Sequence, residues 1–322
     1  MKSKKTLFPI GVAFTSLIGV LYATASVILF KNLHQAEERH TRQAVEGVLS
    51  AFTQSKKDLS IHIDDWASWN DTYNFVLDRN QDYIDSNFYP AGLLALKLNL
   101  VLYVQPSGKI VYGTGFDLNA QKYKSISPAL KPHLVPQSPL VRHKTIESGT
   151  VGIVNLPEGL ILVGAQPILS SEDKGPIRGS LIFGRYLNAG TIATLSKSTR
   201  LPLSVRAIDR ADLPADFQAM RNLLSPTNKI LVRPIDKNTI AGYALLPDIY
   251  GKPAAILRVA IAREIYHQGR TSWYYLTILL AIVAIIFATI IFQLIEKLVA
   301  SERKWQESEE YRHLVAKASQ SR

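Results

Sequence analysis

Cysteine is absent from the chain, so no disulfide braces the fold and any exported part has to be held by its core alone. The short catalytic signatures are missing too: there is no HExxH, no GxxxxGK[ST] and no GxSxG, and the seven histidines are scattered. Gly113-Thr114-Gly115 lacks the strand-to-helix setting of a nucleotide loop. The aspartates between positions 58 and 85 lack the glycine and the closing glutamate of a calcium loop. These absences argue against an enzyme, against a cofactor and against a dedicated metal site. A formal net charge of +11 invites nucleic acid, yet Lys31 to Ser272 holds 28 Lys and Arg against 21 Asp and Glu, thinly spread, with no basic stripe interleaved with aromatics. That argues against a nucleic-acid partner and leaves attraction to anionic membrane lipid. Long internal repeats and low-complexity tracts are absent as well.

What the sequence has in quantity is apolar residues gathered at its two ends. Residues 7–30, LFPIGVAFTSLIGVLYATASVILF, and 273–295, WYYLTILLAIVAIIFATIIFQLI, carry no charge. At roughly 1.5 Å per residue each is long enough to cross a hydrocarbon core about 30 Å thick. Lys2, Lys4 and Lys5 precede the first run and Lys297, Arg303 and Lys304 follow the second, which predicts cytoplasmic segments at 1–6 and 296–322 and an outside location for the residues between. Trp273, Tyr274 and Tyr275 then sit at the outer interface. A cleaved signal peptide is the alternative, since MKSKK suits an n-region and Ala23-Thr24-Ala25 resembles a cleavage box. Against it, the apolar run continues five residues past the box. Gly11, Thr15, Gly19 and Ala23 also recur every four residues, a face that lets a second helix approach closely in lipid.

Between the spans, apolar or small residues at Leu33, Ala44, Val48, Ala51, Ser55, Leu59 and Ile63 alternate in threes and fours, predicting a helix from Lys31 to about Ile63 that reaches about 50 Å from the membrane. The period then changes to two. Leu98 to Val104 and Ile110 to Gly115 make one hairpin, Thr150 to Asn155 and Leu160 to Pro167 a second, and Ile177 to Tyr186 a further strand. Such an antiparallel sheet has one face free to receive helices or a ligand. Strands at 201–208, 229–235, 239–246 and 254–262, with a helix at 215–224, form a second block. The reading is therefore α+β, with a long helix and membrane-distal lobe at 31–200 and a smaller membrane-proximal α/β lobe at 201–272.

One stretch is unusual in composition. Asp64 to Val76 reads DDWASWNDTYNFV, and it holds two of the four tryptophans in the chain. On a helical wheel Ile63, Trp66, Trp69 or Asn70, Tyr73 and Val76 continue the stripe of the preceding helix. The plain reading is that the rings are core and the acids cap or solvate the helix. Around them, however, Asp58, Asp64, Asp65, Asp71, Asp78, Asp82 and Asp85 face only Arg79, an edge suited to a cation or an amine through charge and ring faces. Trp66, Trp69 and Tyr73 are expected to be mainly core, and Asp65 and Asp71 to define the site or its entrance. Tyr103 and Arg185 are weaker candidates for lining the same pocket.

DDWASWNDTYNFV after a long anchored helix, together with LPDIYGKPAAILRVAIAREIYHQG before the second span, resembles the fourth class of CHASE domain, an extracytoplasmic sensor module of bacterial signalling proteins. The resemblance covers nearly all of the outside part. The chain departs from the family pattern at Asn70-Asp71, where an acid more often follows the second tryptophan directly. The resemblance implies a Cache-like domain, in which a long helix leads into PAS-like antiparallel sheets that hold a small ligand. It also implies a two-pass protein of the bacterial inner membrane with the sensor in the periplasm. The end EKLVASERKWQESEEYRHLVAKASQSR is similar to a linker helix and the first turn of a PAS domain. In relatives such a linker leads to diguanylate cyclase, phosphodiesterase or histidine-kinase modules. The expected function is thus a sensor that passes ligand binding through the second span, as a parallel homodimer with contacts on the long helix, the small-residue face and a seam through Leu298 and Trp305. The rival readings are a truncated chain or sensor remnant that competes with full-length relatives, a membrane scaffold, and an extracytoplasmic hydrolase.

Overall fold

The computed structural model describes residues 2–225 and 227–320. Gly11, Thr15 and most of the PAS-like motif after Glu309 lie outside the residues whose side chains are described. The chain forms two compact units, one joining its ends, Met1–Glu37 with Arg263–Arg322, and the other made of Glu38–Ala262.

In the unit of the ends, α1 (Lys2–Ala67) meets α7 (Glu264–Gln320). Tyr22 stacks on Trp273 at 5.2 Å and its hydroxyl lies 2.9 Å from Thr277 Oγ1. Leu33 fills the space that a Cβ at Gly269 would need. The Arg263 guanidinium donates two 2.8 Å hydrogen bonds to the Glu37 carboxylate, a nearly enclosed pair. Partners on α7 fall in number as those on α1 rise, so the helices run antiparallel. Both contain apolar stretches long enough to cross a membrane, with their apolar side chains exposed.

In the other unit α1 buries Val45, Val48, Leu59 and Ile63 on one face. Full burial of each such side chain contributes about 1.5–3 kcal/mol. The helix does not carry its stripe on to Val76 as the wheel suggests. It ends at Ala67, and Trp69 is extended at φ −94°, ψ 139° before α2 (Asn70–Asp78) begins. Tertiary bonds account for the break: Leu169 N–H donates to the Ala67 carbonyl, and Asn70 and Ser171 exchange two bonds of 2.9 and 3.0 Å. Two more short helices follow, α3 (Gln81–Asn87), capped by the Asn80 side chain, and α4 (Pro90–Ala95).

A six-stranded antiparallel sheet comes next, with β1 (Leu100–Val104), β2 (Ile110–Asp117), β3 (Lys122–Lys124), β4 (Thr150–Leu156), β5 (Gly159–Pro167) and β6 (Ser180–Tyr186) in the order β3-β2-β1-β6-β5-β4. Both hairpins are where the period-two pattern puts them. One face receives helix α1, one of the two occupants the pattern allows, and the other is covered by the β3–β4 connection. Val101, Tyr103, Leu162 and Phe183 point into the core shared with α1. Leu100, Leu102, Ile161 and Ile182 are covered by Leu130, Leu134, Leu140 and Val141 from the β3–β4 connection, which includes a 3-10 helix at Pro128–His133.

After α5 (Ala189–Thr199), which has no counterpart in the sequence reading, a four-stranded antiparallel sheet is built from β7 (Leu203–Ala207), β8 (Ile230–Pro234), β9 (Thr239–Pro247) and β10 (Pro253–Ala262), ordered β7-β10-β9-β8. Helix α6 (Ala215–Arg221) covers it through Phe217 and Met220. Asp216 on α6 accepts from Tyr243 Oη at 2.8 Å and from Arg258 at 2.7 Å. The β9–β10 turn carries the late motif. Asp248 Oδ1 accepts from the Tyr250 and Lys252 N–H groups at 2.8 Å, Gly251 takes φ +80°, and Ile249 N–H donates to Ile153 of β4 at 3.1 Å. The motif thus ties one sheet to the edge of the other. Two glycines let α1 reach both sheets: a Cβ at Gly164 would lie 2.5 Å from Ile63 Cδ1, and one at Gly242 would collide with Val45. The whole is the α+β arrangement, long helix into antiparallel sheets, that the Cache resemblance implies.

Candidate ligand site

The rings of the unusual stretch belong to a larger aromatic cluster. Trp66 stacks on Trp69 at 5.2 Å and meets Phe183 edge-on at 5.6 Å and Phe88 at 6.0 Å. Phe75, fully buried, stacks on Tyr83 at 4.5 Å and meets Tyr103 edge-on at 5.0 Å. Two short helices make this possible: α2 brings Phe75, and α3 brings Tyr83 with Phe88 at its C-cap, onto Tyr103 of β1 and Tyr112 of β2.

The sequence-derived candidates separate into groups. Trp66 is half-buried against the core; Trp69, also half-buried, leans on Trp66. Tyr103 has no exposed surface, and its hydroxyl is bonded to that of Tyr83 at 2.9 Å, which in turn pairs with Thr72. Burial pushes the Tyr103 phenol well above its ordinary value. The ring of Tyr73 is covered by the Arg178 guanidinium at 3.5 Å, and its hydroxyl donates to the Pro176 carbonyl. Asp65 and Asp71 are exposed, Asp71 in the first turn of α2, where a carboxylate suits the helix dipole. Arg185 donates from Nη2 to the Leu96 carbonyl at 2.9 Å, its Nε is buried without a partner, and burial lowers its pKa.

A cavity of about 460 Å³ opens beside this cluster, lined by Ile84, Asp85, Phe88, Tyr89, Pro90, Tyr112, Thr114 and Tyr123. Its size suits a small molecule. Phe88 and Tyr112 form its stacked wall, centroids 5.1 Å apart, and Tyr123 Oη donates to the Phe88 carbonyl. Burial raises the Tyr112 phenol, and neighbouring Tyr123 and Asp85 add to the effect. Trp66 and Tyr103 stand behind the wall, each about 6 Å from Phe88. Asp65, Trp69, Asp71, Tyr73 and Arg185 are not among the lining residues.

A larger groove of about 710 Å³ runs past Asn155, Arg206, Asp209, Arg210 and Asp212. Its polar groups are largely engaged with one another, Asn155 with Asp209 at 2.7 Å and Arg210 with Asp212 at 2.8 Å. The aromatic cavity is the better ligand site because two of its rings, Tyr89 and Tyr123, are exposed at its mouth. Phe88, Tyr89, Tyr112 and Tyr123 escaped the sequence reading. The run Tyr83-Ile84-Asp85-Ser86-Asn87-Phe88-Tyr89 held a signal, three rings beside an acid in seven residues, whereas Tyr112 and Tyr123 are ordinary strand residues that only the sheet brings together.

Residues 51–206 match the CHASE4 domain. Over 265 residues, 82% of this chain, the sequence is 30% identical to the methanogenesis regulatory histidine kinase FilI of Methanothrix harundinacea (strain 6Ac), and the match spans 28% of that protein's length. Among solved structures, the periplasmic domain of Vibrio cholerae LuxQ is similar at a TM-score of 0.46 and 16% identity, covering 69% of this chain and 99% of that one. The sensor domain of the V. cholerae histidine kinase DctB is similar at a TM-score of 0.34 and 11% identity, covering 73% and 98%.

Proposed function

We propose that the CHASE4 domain at residues 51–206 is the sensing part of a membrane receptor of the histidine-kinase type, which binds a small ligand outside the membrane and reports it inward through α7. The observation that carries this reading is the 30% identity to a histidine kinase over 82% of the chain. For that reason a kinase, rather than an enzyme of cyclic-di-GMP turnover, is the proposed output. The topology follows from charge and pairing: α1 and α7 run antiparallel, and the basic residues at 2–5 and 297–304 mark one end as cytoplasmic. The sensor then lies outside, with both termini inside. We place the protein as a parallel homodimer with the polar outer face of α1, around Gly47 and Ser50, at the contact. The chain itself carries no catalytic role in this reading.

Thermal unfolding of the full chain in detergent, against a panel of amino acids, amines, carboxylates and divalent ions, tests the ligand claim. A compound at a hundred times its Kd stabilises by about 2.7 kcal/mol. A specific rise supports the sensor. A flat response across the panel contradicts it and favours a scaffold.

A further inference from the structure

We infer that the aromatic cavity takes a compact organic cation, a free small molecule with an alkylated ammonium head, and that Asp85 supplies the opposing charge. The inference rests on the sensor reading and names the ligand class of its site. Four rings surround the space: Phe88 and Tyr112 as a stacked wall, with Tyr89 and Tyr123, about half exposed, at the mouth. Ring faces are negative and attract a cation, most strongly where it is partly desolvated. Asp85 is the charged residue of the lining, and it is exposed, with Gln81 Nε2 donating to one oxygen at 2.9 Å and the other oxygen left for a ligand.

The surroundings favour a positive guest. The lining holds no Lys or Arg, and nearby in sequence Arg79 is outnumbered by Asp78 and Asp82. Lys124, next to Tyr123, is drawn away toward Asp117 at 3.6 Å. The same domain already shows this chemistry satisfied internally, where the Arg178 guanidinium lies 3.5 Å above the ring of Tyr73. Among the described residues no cation is stacked on a ring of the cavity. An anionic ligand would meet Asp85 with no lining cation to offset it, and a neutral one would leave that carboxylate unused.

Calorimetric titration of the detergent-solubilised full chain with choline and with tetramethylammonium, against 3,3-dimethylbutan-1-ol as the uncharged isostere of choline, tests the assignment. At least one cation is expected to bind, with the isostere at least tenfold weaker. Asp85→Asn, an exposed change that leaves the fold intact, should weaken the cation tenfold or more, and Tyr123→Leu should do the same independently. Equal binding of choline and its isostere, or affinity unmoved in both variants, would overturn the site. If neither cation binds while carboxylates or amino acids stabilise the chain, the cation assignment fails and the sensor reading stands. If nothing in either panel binds, both fail.

Discussion

Phe75 is fully buried between Tyr83 and Tyr103, whereas Trp69 keeps part of its surface in solvent and leans on one ring, Trp66. Phe75→Ala should therefore cost about 3–5 kcal/mol, measured as the shift in urea unfolding. Trp69→Ala should cost roughly the 0.5–1.5 kcal/mol of a ring pair plus a little lost area. Equal losses would contradict this ranking. The sequence showed that rings and acids concentrate at 64–76, but not which ring is enclosed, because burial depends on β1 and β2 arriving from elsewhere. A second residue-scale expectation concerns His143, whose Nδ1 lies 2.6 Å from the Ser148 carbonyl and whose Nε2 lies 3.0 Å from Ser180 Oγ. Burial holds its pKa below the ordinary 6.5, and the same is true of His133. A base depressed in the folded state contributes stability that is complete above about pH 6.5 and is lost as pH falls below it, by at most about 1.4 kcal/mol per unit for each group. The melting temperature should thus drop from pH 7.5 to about 5.5, and His143→Gln should make that drop shallower; an unchanged slope would remove His143 as a cause.

Elements were legible where their period was regular. Short apolar runs between turn residues located β1, β2 and β4 to β10 to within a few positions. The break after Ala67 was not legible, because the ring spacing runs on in threes and fours across it while the bonds that cause it come from Leu169 and Ser171, a hundred residues away. Helices α3, α4 and α5 are short and lack a full apolar stripe, so the sequence gives little to find. How α1 seats on the sheets yields a sharp contrast between two glycines. Gly242 meets Val45 and Thr41, while Gly47 on the outer face has nothing within 4 Å. Gly242→Val should cost about 1–3 kcal/mol through overpacking, and Gly47→Ala should gain up to about 1 kcal/mol of helix propensity in the dissociated protomer. Paired urea titrations of the two variants check both signs, and a neutral Gly242→Val would mean that α1 is not held against β9.

For the whole molecule, the chain leaves β10 at Ala262 and enters α7 at Glu264, with only Arg263 between them, and Arg263 is clamped to Glu37 of α1. A ligand shifts such a system only by its differential affinity for two states, typically 1–3 kcal/mol of coupling. Glu37→Gln, which keeps the shape and removes the charge, should weaken that link without unfolding the domain at Glu38–Ala262. Ligand binding in the domain at Glu38–Ala262 is expected to change the inner end of α7. Because the chain has no cysteine of its own, single cysteines at Gly47, Ser50 and Ala300 report on it cleanly. In membranes, disulfide crosslinking between protomers is expected at all three positions, and any compound that raises the melting temperature should change the yield at Ala300. Stabilising compounds that leave the Ala300 yield unchanged, or a failure to crosslink at every position, would contradict the account.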